Sequence, residues 1–117
     1  SPFCIRRLGV AKARKLFLTG EKITAPVARE LGLVDEVTAE ADLDDGVNRV
    51  LDALLQGAPG ALAAAKNLVN AVAHLSPSEA LPFTADLLAK LRASEEAREG
   101  MTAFLEKRPP SWKASRD

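Results

Sequence analysis

Few residues in this sequence have side chains suited to chemistry. His74 is the single histidine and Cys4 the single cysteine, far apart in the chain, so no paired-imidazole or Cys–His metal site can be assembled from them. His74 falls where an Ala-rich helical pattern ends, a place the helix dipole favours, and reads as a helix-end or surface residue. Cys4, between Phe3 and Ile5, reads as a small core residue. Acidic residues gather at Asp42, Asp44 and Asp45 and again at Glu95, Glu96 and Glu99; both sets fall in first helical turns, where negative charge usually serves structure. Gly20 and the Gly57 to Gly60 stretch lack the strand, glycine loop and helix order of a phosphate cradle and read as turns. Lys107, Arg108 and Lys113, around Pro109, Pro110 and Trp112, are able to meet a phosphate or to form a solvated tail, and composition favours the tail. No catalytic constellation and no metal site is legible.

The elements that would position these residues are helical. Ser1 and Pro2 open a short helical turn that stops near Gly9, and Val10 to Thr19 follows with Val10, Ala13, Leu16 and Phe17 at helical spacing. A third helix covers about Ala25 to Leu31, with Pro26 in its first turn and Gly32 placed for a left-handed C-terminal residue. Gly32 to Val37 is short and β-branched, which predicts a strand of about four residues. From Asp42 an apolar stripe of Leu43, Val47, Val50, Leu51, Leu54 and Leu55 predicts a helix to Gly57. Pro59 starts the next, with Leu62, Ala65, Val69 and Val72 on one face. Ser76-Pro77-Ser78-Glu79 has the form of a capping box and opens a helix to about Ala93, carrying Leu81, Leu87, Leu88 and Leu91. Pro82 is expected to kink it or shift its start. Ser94 caps a last helix to about Glu106, closed by Arg108-Pro109-Pro110. Seven helices and one strand result, and the lone strand has no partner in the sequence to satisfy its edges.

The 117 residues include 16 Lys plus Arg and 16 Asp plus Glu, with 47% hydrophobic and only 4% aromatic residues. At this length roughly 65% of the unfolded surface can be buried, enough for a modest core. Zero net charge removes the footprint that non-specific nucleic-acid binding requires. No run approaches a membrane span, and no signal peptide pattern is present, so a cytoplasmic setting is expected. Ser1 opens the chain and Met101 is its single methionine, which leads to the expectation that translation began upstream.

Several phrases line up in order and spacing. They are Gly9 with Ala13, Leu18-Thr19-Gly20-Glu21, Ala25 with Ala28, Gly32-Leu33-Val34, Ala58-Pro59 with Lys66, and Glu99-Gly100-Met101-Thr102-Ala103-Phe104-Leu105-Glu106-Lys107-Arg108. Together they resemble the C-terminal part of the enoyl-CoA hydratase/isomerase, or crotonase, family, over essentially the whole chain. The resemblance implies a mainly α segment: the helical C-terminal portion of a crotonase-like α/β spiral with one short strand. Residues 1–38 would end the spiral core, and residues 39–117 would form the helical region that makes oligomer contacts and closes the CoA site. The family's oxyanion-hole loops and catalytic glutamates lie upstream of Ser1 in its pattern, so no catalytic residue is assigned and the segment alone is expected to be inactive. What the resemblance carries over is binding. Phe104 matches a phenylalanine near the pantetheine and acyl end of the ligand, Lys107 a lysine near the CoA nucleotide, and Lys22 a basic position found near the ligand in some members.

Acyl-CoA is then the substrate, with no further cofactor, and the implied partners are a homo-oligomer, a trimer or dimer of trimers, or the missing N-terminal domain; neither nucleic acid nor membrane is expected. Where many members carry a Gly-Gly-Thr-Gln-Arg-Leu type run, this chain has Ser1-Pro2-Phe3-Cys4-Ile5-Arg6-Arg7-Leu8, a variant similar to the methylglutaconyl-CoA hydratase branch. The alternatives are a non-enzymatic helical association module, or a fragment of an isomerase or thioester hydrolase, because one scaffold hosts several chemistries.

Overall fold

The computed structural model describes residues 1–113. It contains six α-helices: α1 (Pro2–Thr19), α2 (Ala25–Glu30), α3 (Leu43–Leu55), α4 (Pro59–Val72), α5 (Pro77–Arg92) and α6 (Glu95–Leu105), with 3-10 turns at Glu40–Asp42 and Ser111–Lys113. The chain divides into two compact units, residues 1–46 and 47–117, and the boundary falls within α3. No described helix is long and apolar enough to cross a membrane.

In the first unit the expected break at Gly9 is present inside α1, where φ 76° and ψ 161° leave helical space and suit glycine. Leu8 and Ala13 on either side of it are buried, as is Ala28 of α2. Gly20 ends α1 in the left-handed region, its amide donating to Leu16 O at 3.0 Å.

The strand expected over Gly32 to Val37 is absent, and no strand occurs among the described residues. Its backbone is engaged in ending α2. Gly32, at φ 81°, donates to Arg29 O, and Leu33 donates to Ala28 O, both at 2.9 Å. This paired closure is a Schellman motif. Arg7 then reaches across from α1, its Nε donating to Gly32 O at 3.0 Å and its guanidinium pairing with Asp35. A β-branched run without a partner strand takes the hydrogen bonds available locally, and here a helix end and an arginine supply them.

In the second unit α4 packs on α5, and α5 on α6. Helix α5 opens with the expected capping box: the Ser76 amide donates to Glu79 Oε2 at 2.8 Å, and the Glu79 amide donates to Ser76 Oγ at 3.4 Å. The Ser76 hydrogen bonds hold the Glu79 carboxyl below its usual value. The helix begins at Pro77 and continues through Pro82, so the proline does not shift its start. Ser94 caps α6 as expected, Oγ accepting from the Ala97 amide at 3.1 Å.

The packed interior is small. Among the described residues the buried apolar side chains are Leu8, Ala13, Ala28 and Ala103. Cys4 is half-buried rather than in that core, and His74 is exposed just past α4. The α3 stripe forms as a helix face, yet Leu43, Val47, Val50, Leu51, Leu54 and Leu55 are each 45–56% exposed. The described residues therefore cover about half of this amphipathic face, and its packing contributes correspondingly less to the fold.

Candidate functional site

Helix α4 begins without a local cap. Ala58 at its N-cap has no side-chain acceptor, and Pro59 has no amide to satisfy. The next two amides, of Gly60 and Ala61, donate to Glu96 Oε1 at 2.9 Å and Oε2 at 3.0 Å. Glu96 on α6 therefore caps α4 across tertiary space. A Cβ on Gly60 would lie 2.8 Å from Glu96 Oε2, so glycine is what lets the carboxylate approach both amides.

The end of α6 carries two of the expected site residues. Lys107 has φ 55° and is the non-glycine residue with positive φ among those described. Arg108 donates its amide to Ala103 O at 3.0 Å, and Lys107 donates to Phe104 O at 3.2 Å. This is again a Schellman closure, now with lysine where glycine is usual, at a cost of roughly 1–2 kcal/mol for a side chain in left-handed space. Phe104 projects from the last turn and is 82% exposed.

Beyond Lys107 the chain is pinned to α6. Arg108 donates Nη1 to Glu99 Oε1 at 2.7 Å and Nη2 to Glu99 Oε2 at 2.9 Å, a forked pairing, and Nε to Glu106 at 2.6 Å. The Ser111 amide donates to Glu99 Oε1 at 2.7 Å. The Arg108 fork, helped by the Ser111 amide, holds the Glu99 carboxyl down to about 2 against the opposing effect of desolvation. Glu99 and then Glu106 raise the pKa of Arg108 in turn. Arg108 is thus occupied internally, whereas Lys107 makes no ion pair among the described residues.

Pro109 and Pro110 lead to Trp112, which folds back on α6. Its Cη2 sits 3.1 Å from where a Cβ on Gly100 would be, and its Nε1 lies 3.4 Å from Gln56 O. Ala58, Ala61, Leu91, Met101, Phe104 and Trp112 line a mainly apolar groove of about 540 Å³. Lys22 is in the other unit, exposed on the loop between α1 and α2, next to a Glu21 that pairs with Lys15 at 3.2 Å. Phe104 and Lys107 are brought together at one helix end. From sequence the acidic residues of α6 are expected to serve the helix dipole; their partners lie beyond the reach of spacing, which locates neither the α4 amides nor a reversed tail.

The class defined by this fold is a helical segment with little core of its own and a cationic, aromatic helix end. Comparison supplies the family: the family model for enoyl-CoA hydratase/isomerase matches residues 1–115, and the chain belongs to that family. A probable mitochondrial enoyl-CoA hydratase of Dictyostelium discoideum is 33% identical over 108 residues, 92% of this chain and 39% of the relative. The structure of an enoyl-CoA hydratase from Shewanella pealeana superposes with TM-score 0.87 at 35% identity, over 96% of this chain and 42% of that one. A crotonase structure from Legionella pneumophila gives TM-score 0.89 at 33% identity, over 96% and 44%. The chain thus spans about two fifths of the length of the relatives it matches.

Proposed function

We propose that this chain is the C-terminal segment of an enoyl-CoA hydratase that adds water across the double bond of a 2-enoyl-CoA thioester. In this reading residues 1–38 end the spiral core, and residues 39–117 make subunit contacts and close the CoA site. The observation that carries it is the exposure of the α3 stripe, together with Val69, Leu81, Phe104 and Leu105 at 66–82%. Apolar surface of that extent marks an interaction face rather than a finished exterior. The rest of the polypeptide and neighbouring subunits of a trimeric assembly would cover it.

Phe104 would lie against the pantetheine and acyl end of the ligand, Lys107 near the CoA phosphates, and Lys22 near the ligand from the α1–α2 loop. A lysine beside phosphate makes a charge-assisted contact. The carboxylates and oxyanion donors for the chemistry would come from outside this segment, so the 117 residues alone should not turn over. The Ser1-Pro2-Phe3 opening supports the methylglutaconyl-CoA hydratase branch.

The test is hydration of crotonyl-CoA and of a branched enoyl-CoA, by the 117-residue chain and by the full-length polypeptide that carries it. Turnover by the longer chain alone supports the reading. Turnover by the segment itself, or by neither, overturns it.

A further inference from the structure

The end of α6 contains two cations treated in opposite ways. Arg108 has both fork nitrogens on Glu99 and its Nε on Glu106, while Lys107, one residue earlier, is left without an ion pair among the described residues. Lys107 also holds a backbone conformation that a lysine does not choose unaided, at φ 55°. Backbone dihedrals fix the direction of the Cα–Cβ bond, so whatever holds this φ aims the side chain.

Two things hold it. One is the Schellman closure, in which the Arg108 amide donates to Ala103 O. The other is the anchoring of the following residues: the Arg108 guanidinium on Glu99 and the Ser111 amide on the same carboxylate. Glu99 therefore grips the chain at two points beyond Lys107, and α6, on which Glu99 stands, grips it before. A lysine between two fixed points loses less freedom on meeting an anion than one on a loose tail.

We infer that Glu99 and Arg108 are positioning residues, which hold Lys107 in left-handed geometry so that its ammonium meets the phosphates of a CoA ester. This rests on the reading of Lys107 as a CoA contact. In this role Arg108 acts through its carboxylate partners Glu99 and Glu106, and its value is the rigidity of its planar, two-point pairing, which a lysine does not reproduce.

The test is a double-mutant cycle in the full-length polypeptide, with calorimetric titration of coenzyme A as the probe. Lys107→Ala is expected to weaken binding about tenfold, the scale of one hydrogen bond to a charged group. Glu99→Gln, with Lys107 intact, is expected to weaken it by at least about threefold, and to have no further effect in a Lys107→Ala background. Should Glu99→Gln lower the folded population, Arg108→Lys carries the same cycle, since it keeps the charge and loses the fork. Lys107→Arg should retain most of the affinity.

Equal weakening by Glu99→Gln in both backgrounds would mean a general structural role and overturn the inference. So would no weakening with Lys107 intact, if Lys107→Ala still weakens binding; the CoA contact would then stand and the positioning role would fall. Unchanged affinity in Lys107→Ala would remove the contact itself.

Discussion

Removing Glu96 should open the start of α4. The first turn has no other acceptor for Gly60 and Ala61, because Ala58 offers no side-chain oxygen. Loss of a helix cap costs about 0.5–2 kcal/mol, and loss of a carboxylate at the positive end of the helix dipole adds about 0.3–1 kcal/mol. Glu96→Ala is therefore expected to cost about 1–3 kcal/mol, lowering the melting temperature by about 4 °C per kcal/mol at this length. The same energy should raise amide exchange at Gly60 and Ala61 about tenfold per 1.4 kcal/mol. Gly60→Ala supplies an independent arm. Its Cβ would sit 2.8 Å from Glu96 Oε2 and push the carboxylate off, while alanine gains up to about 1 kcal/mol of helix propensity. The substitution should be near neutral or destabilising with Glu96 present and stabilising in a Glu96→Ala background. A coupling of about 1 kcal/mol is expected, by thermal unfolding followed with circular dichroism and by exchange measured with NMR. Simple additivity, or Gly60 and Ala61 exchange unchanged within about twofold in Glu96→Ala, would refute the cross-helix cap.

Lys107→Gly should raise the melting temperature, since relief of about 1–2 kcal/mol of left-handed strain exceeds the entropy glycine adds to the unfolded chain; a lower value would contradict the strain argument. Gly100→Ala should push Trp112 a few tenths of an ångström away from α6 and loosen its packing, because the new methyl would meet Cη2 at 3.1 Å. As Trp112 is the single tryptophan, its fluorescence should shift to the red, and an unchanged spectrum would refute the packing. The Glu99 carboxyl is lowered from 4.5 to about 2 on folding, so its pairing supports the folded tail at and above pH 4.5 and is lost as pH falls from there through 2. Trp112 emission should follow that window, and Glu99→Gln should flatten it. Ser76→Ala should cost about 1 kcal/mol through the α5 capping box, read from the melting temperature.

What the sequence disclosed depended on how local the interaction was. Ser76, Ser94, Gly20 and Gly32 end or begin helices through partners within a few residues, and spacing alone located them. Gly32 to Val37 has strand composition, but its first amides donate to α2 carbonyls and the Gly32 carbonyl accepts from Arg7, a competition visible only once α1 and α2 are side by side. Glu96 reads as an ordinary first-turn acid, and Glu99, expected in the same turn, lies beyond it as the fifth residue of α6; their partners lie 36 and nine positions away. Phe104 and Lys107 came from family resemblance rather than from periodicity, and their neighbourhood at one helix end follows from the closure between them.

The cap on α4 also sets an order of events during synthesis. Glu96 follows Gly60 by 36 residues, so at about 5–20 residues per second it leaves the ribosome about 2–7 s later. For that interval the Gly60 and Ala61 amides lack their Glu96 partner, and α5 is made in between without supplying one. A nascent chain stalled before α6 would expose an uncapped, alanine-rich helix to chaperones and proteases. Completion of the second unit is therefore timed by its last helix.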